Sequence, residues 1–196
     1  MPRARHYVNP KETGVPCFVT TTALDFAHVF HRPEIRDEMV RVIARECRLA
    51  RAALYAYVVM PHHIHMIVRP HETKTTSHFM NVFKRESSRT IMPLLTPAEI
   101  ARFGEQRGLN GNTFWQRSFS SIVITSEAMA GQKAEYIHQN PVRAGYAETP
   151  EAYRWSSASL YLQGVLDEAH GLELSALPDS LKPEELGDCE RELGEA

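Results

Sequence analysis

A chain of 196 residues, 43% hydrophobic and 23% charged, has the composition of an ordinary globule with a sizeable core, one domain or one domain with an appendage. No apolar run approaches the ~18 residues of a membrane span, and the opening Met1-Pro2-Arg3-Ala4-Arg5-His6 has no apolar segment suited to export, so a cytosolic protein is expected. The formal charge of -2 hides an asymmetry, because residues 1–147 carry 19 Lys and Arg against 12 Asp and Glu, while residues 148–196 carry 3 against 12. A basic body of that kind suits a polyanion, since clustered cations displace condensed counterions from phosphates.

No segment repeats, and the elements form one mixed pattern. Pro16 to Thr22 is β-branched and aromatic and reads as a first strand. Pro33 to Cys47 has helical apolar spacing through Ile35, Met39, Val40, Val42 and Ile43, with Pro33 in its first turn. Two apolar runs follow, Ala53 to Val59 and His63 to Val68, and a connection as short as Met60-Pro61-His62 predicts antiparallel neighbours. In the second run Ile64, Met66 and Val68 point one way while His63 and His65 share the other face. Two imidazoles on one strand face can bind one cation.

Thr75-Thr76-Ser77 offers a cap for a helix whose Phe79, Val82, Phe83 and Ile91 form a buried stripe, with Lys84, Arg85 and Arg89 elsewhere on it. Leu94 to Asn112 is rich in Gly and Pro and reads as an irregular or partly helical insertion. Phe114-Trp115-Gln116-Arg117 leads into a strand over Ser118 to Ile124, and Thr125-Ser126 can cap a last helix carrying Tyr136. Pro141 biases Asn140 away from helical angles, so that helix is predicted to end near Asn140. Tyr136 and Asn140, four residues apart, are neighbours on its last turn. The order β-α-β-β-α-β-α matches a split β-α-β arrangement, an α+β fold in which an antiparallel sheet carries helices on one face. Tyr153 to Ser157 packs back on the body, and the acidic remainder is a solvated appendage. Cys17, Cys47 and Cys189 are far apart without a Cys-x-x-Cys pair, so free thiols are expected.

The motifs Val59-Met60-Pro61-His62-His63-Ile64-His65, Phe114-Trp115-Gln116-Arg117, Tyr136-Ile137-His138-Gln139-Asn140-Pro141-Val142-Arg143-Ala144-Gly145 and Trp155-Ser156-Ser157, in that order, resemble the single-tyrosine transposases of the insertion-sequence-200 type. The REP-associated branch is the most similar. The likeness spans residues 14–162, which makes residues 1–162 the expected catalytic domain and 163–196 the appendage. It implies the ferredoxin-like sheet of HUH endonucleases, His63, His65 and Asn140 as ligands of Mg²⁺ or Mn²⁺, and Tyr136 as the nucleophile. Two departures stand out: His62 where many relatives have Asn, and Phe119-Ser120-Ser121 where Tyr-Asp-His is more usual.

The residue types suit that chemistry. A phenol is a weak nucleophile and a phosphodiester is an anion, so a divalent cation that draws charge off a non-bridging oxygen meets a real need. The resemblance implies a 5′-phosphotyrosine intermediate on single-stranded or hairpin DNA, resolved by a 3′-OH without ATP. Lys84, Arg85, Arg89, Arg117 and Arg143 are candidates for phosphate contact, and Trp115 with Phe114 for stacking on unpaired bases. Relatives include monomers and homodimers that share active sites. A hairpin-binding protein that does not cut is the alternative. A zinc hydrolase built on His62, His63 and His65 is a third reading, disfavoured because adjacent strand residues face opposite ways.

Overall fold

The computed structural model describes residues 10–104 and 114–164. Its sheet contains β1 (Cys17–Thr22), β2 (Ala53–Val59), β3 (His63–Arg69) and β4 (Ser120–Val123) in the order β2-β3-β1-β4, with every neighbouring pair antiparallel. The two segments between the pairs are α1 (Pro33–Leu49) and α2 (Thr76–Ile91), and α4 (Glu127–Arg143) follows β4. Since β3 lies between β1 and β2, the first crossover is split, and the architecture is the ferredoxin-like one expected.

Both faces of this sheet are apolar, and that decides where the helices go. Cys17 and Val19 of β1 and Ile64, Met66 and Val68 of β3 face α1 and α2, and pack with Ile35, Met39, Phe79 and Phe83. The alternate set, Phe18, Val58 and Ile67 with Tyr55 and Ala56, packs instead against Ala130, Ala134 and Ile137 of α4. The expectation of helices on one face is therefore corrected: α4 covers the opposite face. Leaving Phe18, Val58 and Ile67 in water would forfeit about 1.5–3 kcal/mol for each side chain. Tyr55 is the extra residue of a bulge, because Leu54 pairs with Val68 and Ala56 with Ile67.

The predicted end of α4 near Asn140 is also corrected, since the helix runs through Pro141 to Arg143. Pro141 forfeits only the bond to the Ile137 carbonyl, and its ring is buried. The amides of Ala144, Tyr146 and Gly145 then close the turn on the carbonyls of Asn140, Pro141 and Val142. Gly145 takes φ 74, a left-handed value that glycine adopts without steric cost. Ser126 and Thr75 cap α4 and α2, as the sequence predicts.

The insertion contains α3 (Pro97–Gly104), opened by a capping box in which Thr96 Oγ1 and Glu99 each accept from the other's backbone N–H. Residues 105–113 of the insertion, and residues 165–196 on which the acidic appendage rests, lie outside the described residues. The last described helix, α5 (Ala158–Gln163), follows a segment bridged to the outer edge of β2 at Val58 and Ser156. Tyr153 Oη donates to the Val59 carbonyl at 2.8 Å, and Val59 N–H to the Trp155 carbonyl at 2.9 Å, so this segment covers a strand edge that would otherwise be open. Cys17 and Cys47 are free and buried. Among the described residues no helix is long and apolar enough to cross a membrane.

Candidate active site

β3 presents His63 and His65 to the face that α4 covers, their ring centroids 4.6 Å apart at 72°. The register pairs His65 with Thr20 on β1, and the Thr20 hydroxyl lies 2.8 Å from His65 Nδ1. Phe18 stacks on the same imidazole at 5.4 Å and 22°. With Nδ1 committed to Thr20, the other ring nitrogen points toward α4. His65 Nε2 meets the side-chain amide of Asn140 at 3.4 Å.

The last turns of α4 bring the rest. The Tyr136 ring sits edge-on to His65 at 5.3 Å and to Phe18 at 5.8 Å, with 38% of the residue exposed. Arg143, seven residues on and thus on the same side of the helix, holds its guanidinium 5.9 Å from the Tyr136 ring centre. The Lys133 ammonium lies 5.4 Å from the centre of the Phe18 ring, which itself meets Tyr136 edge-on, so a second cation lies one ring away from the phenol. All of these groups come from one chain.

Burial drives the electrostatics of the pair. His63 is pushed down to about 4, chiefly by burial and further by His62, while its contact with Asn140 opposes the shift. His65 falls to about 3 by burial and by the neighbouring His63 and His62. Both rings are therefore neutral at pH 7 and carry lone pairs, the form in which imidazole binds a metal. Two neutral imidazoles and an amide that can turn its oxygen toward them are an N/O donor set that suits Mn²⁺ or Mg²⁺. Among the described residues no three His, Cys, Asp or Glu side chains converge as a metal site. The Asn140 amide, 3.4 Å from His65 Nε2, is a donor beside the pair, while His62 stacks on His28 at 5.2 Å and is not gathered with His63 and His65 into a three-histidine site of the zinc kind.

The other candidates scatter. Trp115 is 3% exposed and donates from Nε1 to Ser87 Oγ at 2.9 Å, and Phe114 is 1% exposed, so stacking of bases on this pair is corrected: both rings are core. They fill the space between the sheet and α2, with Phe30 and Phe83 as ring neighbours. Lys84 donates to the carbonyls of Gln116 and Arg117 at 2.6 and 3.1 Å and is lowered to about 8 by burial. Its role here is to pin the Trp115 segment. Arg85 and Arg89 both pair with Glu86, on the helix that lies across the sheet from Tyr136. Arg117 is exposed next to Gln116, whose amide bonds Thr22, the β1 residue opposite His63.

Three site neighbours escape the sequence reading: Thr20, Phe18 and Lys133. Lys133 had a signal, since it lies three residues before Tyr136 on the same helical face. Thr20 and Phe18 had none, because only strand register brings them to His65.

Residues 25–140, more than half of the chain, match the family model described as Transposase IS200 like. A candidate REP-associated tyrosine transposase of Haemophilus influenzae is 26% identical over 104 residues, which is 52% of this chain and 56% of that protein. The chain thus spans little more than half the length of that relative. Among solved structures, one described as a REP-associated tyrosine transposase bound to a REP hairpin superposes with TM-score 0.58 at 17% identity, covering 95% of this chain and 99% of the other. A candidate transposase of Deinococcus radiodurans gives TM-score 0.48 at 19% identity, covering 70% of this chain and 95% of that one.

Proposed function

The chain belongs to the IS200-like transposases, and on that premise we propose that it is a metal-dependent endonuclease and strand transferase acting on single-stranded DNA that carries a hairpin. The observation that supports this best is the meeting of Tyr136, His63, His65 and Asn140 within a single chain. A hairpin-bearing substrate is suggested by the REP hairpin held in the solved relative.

Tyr136 Oη attacks the scissile phosphorus, forming a P–O bond to the phenol and breaking the bond to the 3′-oxygen. The phenolic proton leaves to solvent, and the departing oxygen takes up a proton to become a free 3′-OH. The product is a 5′-phosphotyrosine. A later 3′-OH reverses the step and rejoins strands, because the phosphodiester energy is kept in the protein link. His63, His65 and Asn140 would hold Mg²⁺ or Mn²⁺, which when bound supplies charge stabilisation at a non-bridging phosphate oxygen. Arg143, over the Tyr136 ring, and Lys133, over the neighbouring Phe18 ring, would add positive charge near the phosphate.

The test is an end-labelled hairpin with a single-stranded tail, incubated with Mn²⁺ and run on a denaturing gel. The wild type gives a protein-DNA adduct that survives denaturant. Tyr136→Phe gives none while binding the hairpin within about twofold of wild type. His63→Ala loses the adduct together with calorimetric Mn²⁺ affinity. An adduct formed by Tyr136→Phe would move the nucleophile elsewhere, and tight hairpin binding by the wild type with no adduct would favour the non-cutting reading.

A further inference from the structure

With Trp115 and Phe114 buried, the most exposed aromatic ring among the described residues lies elsewhere, in the segment after β1. The amides of Ala23 and Phe30 donate to the carbonyls of His62 and Pro61 at 2.8 and 2.9 Å, strapping residues 23–30 to the turn between β2 and β3. Within that strap Asp25 and Phe26 take φ 52 and 55, a left-handed backbone that a residue with a side chain adopts only at a cost. The result is that Phe26 stands 63% exposed, while Phe30, four residues on, does the burying. Folding gains nothing from a strained backbone that holds a large apolar ring in water.

The rings around Phe26 lead to the site. Its centroid is 6.0 Å from His62, and His62 lies 4.5 Å from His63 and parallel to the exposed His28 at 5.2 Å and 13°. His28 and His62 are too close to admit a base between them, which needs about 7 Å, twice the ~3.4 Å base spacing. A base would therefore stack on the outer side of the group, on the exposed Phe26 ring, with His62, tilted at 58° to that ring, and His28 forming the wall beside it.

We propose that Phe26, His28 and His62 form a stacking platform for an unpaired base of the DNA adjoining the scissile phosphate. The platform rests on the strand-transfer reading, which would put that phosphate by His63, one ring contact from His62. Aromatic stacking is tolerant of sequence, because every base has a π-face, so the platform holds the strand in place without choosing the base. It also favours unpaired DNA, since a base inside a duplex offers no free face.

The experiment scans 2-aminopurine through each position of the single-stranded tail of a hairpin oligonucleotide, read by fluorescence on binding the full chain. One position next to the cut should be quenched several-fold. Phe26→Ala should restore its fluorescence and weaken binding about 5- to 100-fold, and Phe26→Tyr should keep both near wild type. An abasic nucleotide at that position should weaken the wild type to a similar degree and leave Phe26→Ala no worse. Absence of a quenched position, or Phe26→Ala binding like wild type, overturns the platform. The adduct gel on the same oligonucleotides separates the two ideas. Adduct without quenching overturns the platform alone, quenching without adduct overturns strand transfer alone, and loss of both removes both.

Discussion

His65 is held from both ends, by the Thr20 hydroxyl at 2.8 Å on Nδ1 and the Asn140 amide at 3.4 Å from Nε2. A hydrogen bond to the far nitrogen of a liganding imidazole sets its tautomer and aim, and its loss costs about 10- to 100-fold in metal affinity or activity. Thr20→Val should therefore lower Mn²⁺ affinity and adduct yield by such a factor with the fold intact, and Thr20→Ser should restore them. Calorimetry and the adduct gel check both. The low values of His63 and His65 also make a pH prediction. The unfolded rings, near 6.5, bind protons that the folded rings refuse until about 4 and about 3, so stability rises with pH across that window. For the metal-free protein, urea unfolding at pH 5 should show a loss of up to about 2 kcal/mol from His65 relative to pH 7, and His65→Gln should remove that share of the dependence while the shares of His63 and His138, both lowered to about 4, remain.

At the scale of elements, α4 is the part that makes a site out of two motifs. Its approach to the sheet depends on Ala130 and Ala134, 0% and 3% exposed, whose small side chains let Ile137 reach the apolar face and Tyr136 reach His65. Ala134→Leu should push the helix outward, costing about 1–3 kcal/mol by overpacking. Adduct formation should fall more steeply than stability, because the reacting groups need sub-ångström placement. Chemical denaturation beside single-turnover kinetics tests this. Two turn glycines give a paired prediction. A Cβ at Gly145 meets nothing within 4 Å, so Gly145→Ala should cost about 1 kcal/mol for its φ alone. At Gly14, φ 65, a Cβ would lie 2.7 Å from Glu72 Cα, and Gly14→Ala should cost more, as urea midpoints would show.

For the molecule as a whole, Tyr136, His63, His65 and Asn140 meet within one copy of the chain, which predicts a site that works in cis. Mixing Tyr136→Phe with His63→Ala should give no adduct, and wild-type adduct per chain should be independent of protein concentration; rescue in the mixture would mean that chains exchange α4. The sequence by itself determined the two halves of the candidate site. Strand alternation put His63 and His65 on one side, helix periodicity put Tyr136 beside Asn140, and the order of elements implied the split sheet; each is a local regularity of period two or 3.6. Tertiary structure decided what local periods do not encode. Both faces of β1 and β3 are apolar, so only packing shows that α4 takes the histidine face, that Trp115 and Lys84 turn inward, and that Thr20 lies against His65. Those outcomes depend on which apolar surfaces meet across long stretches of chain, and that competition is settled by the whole core at once.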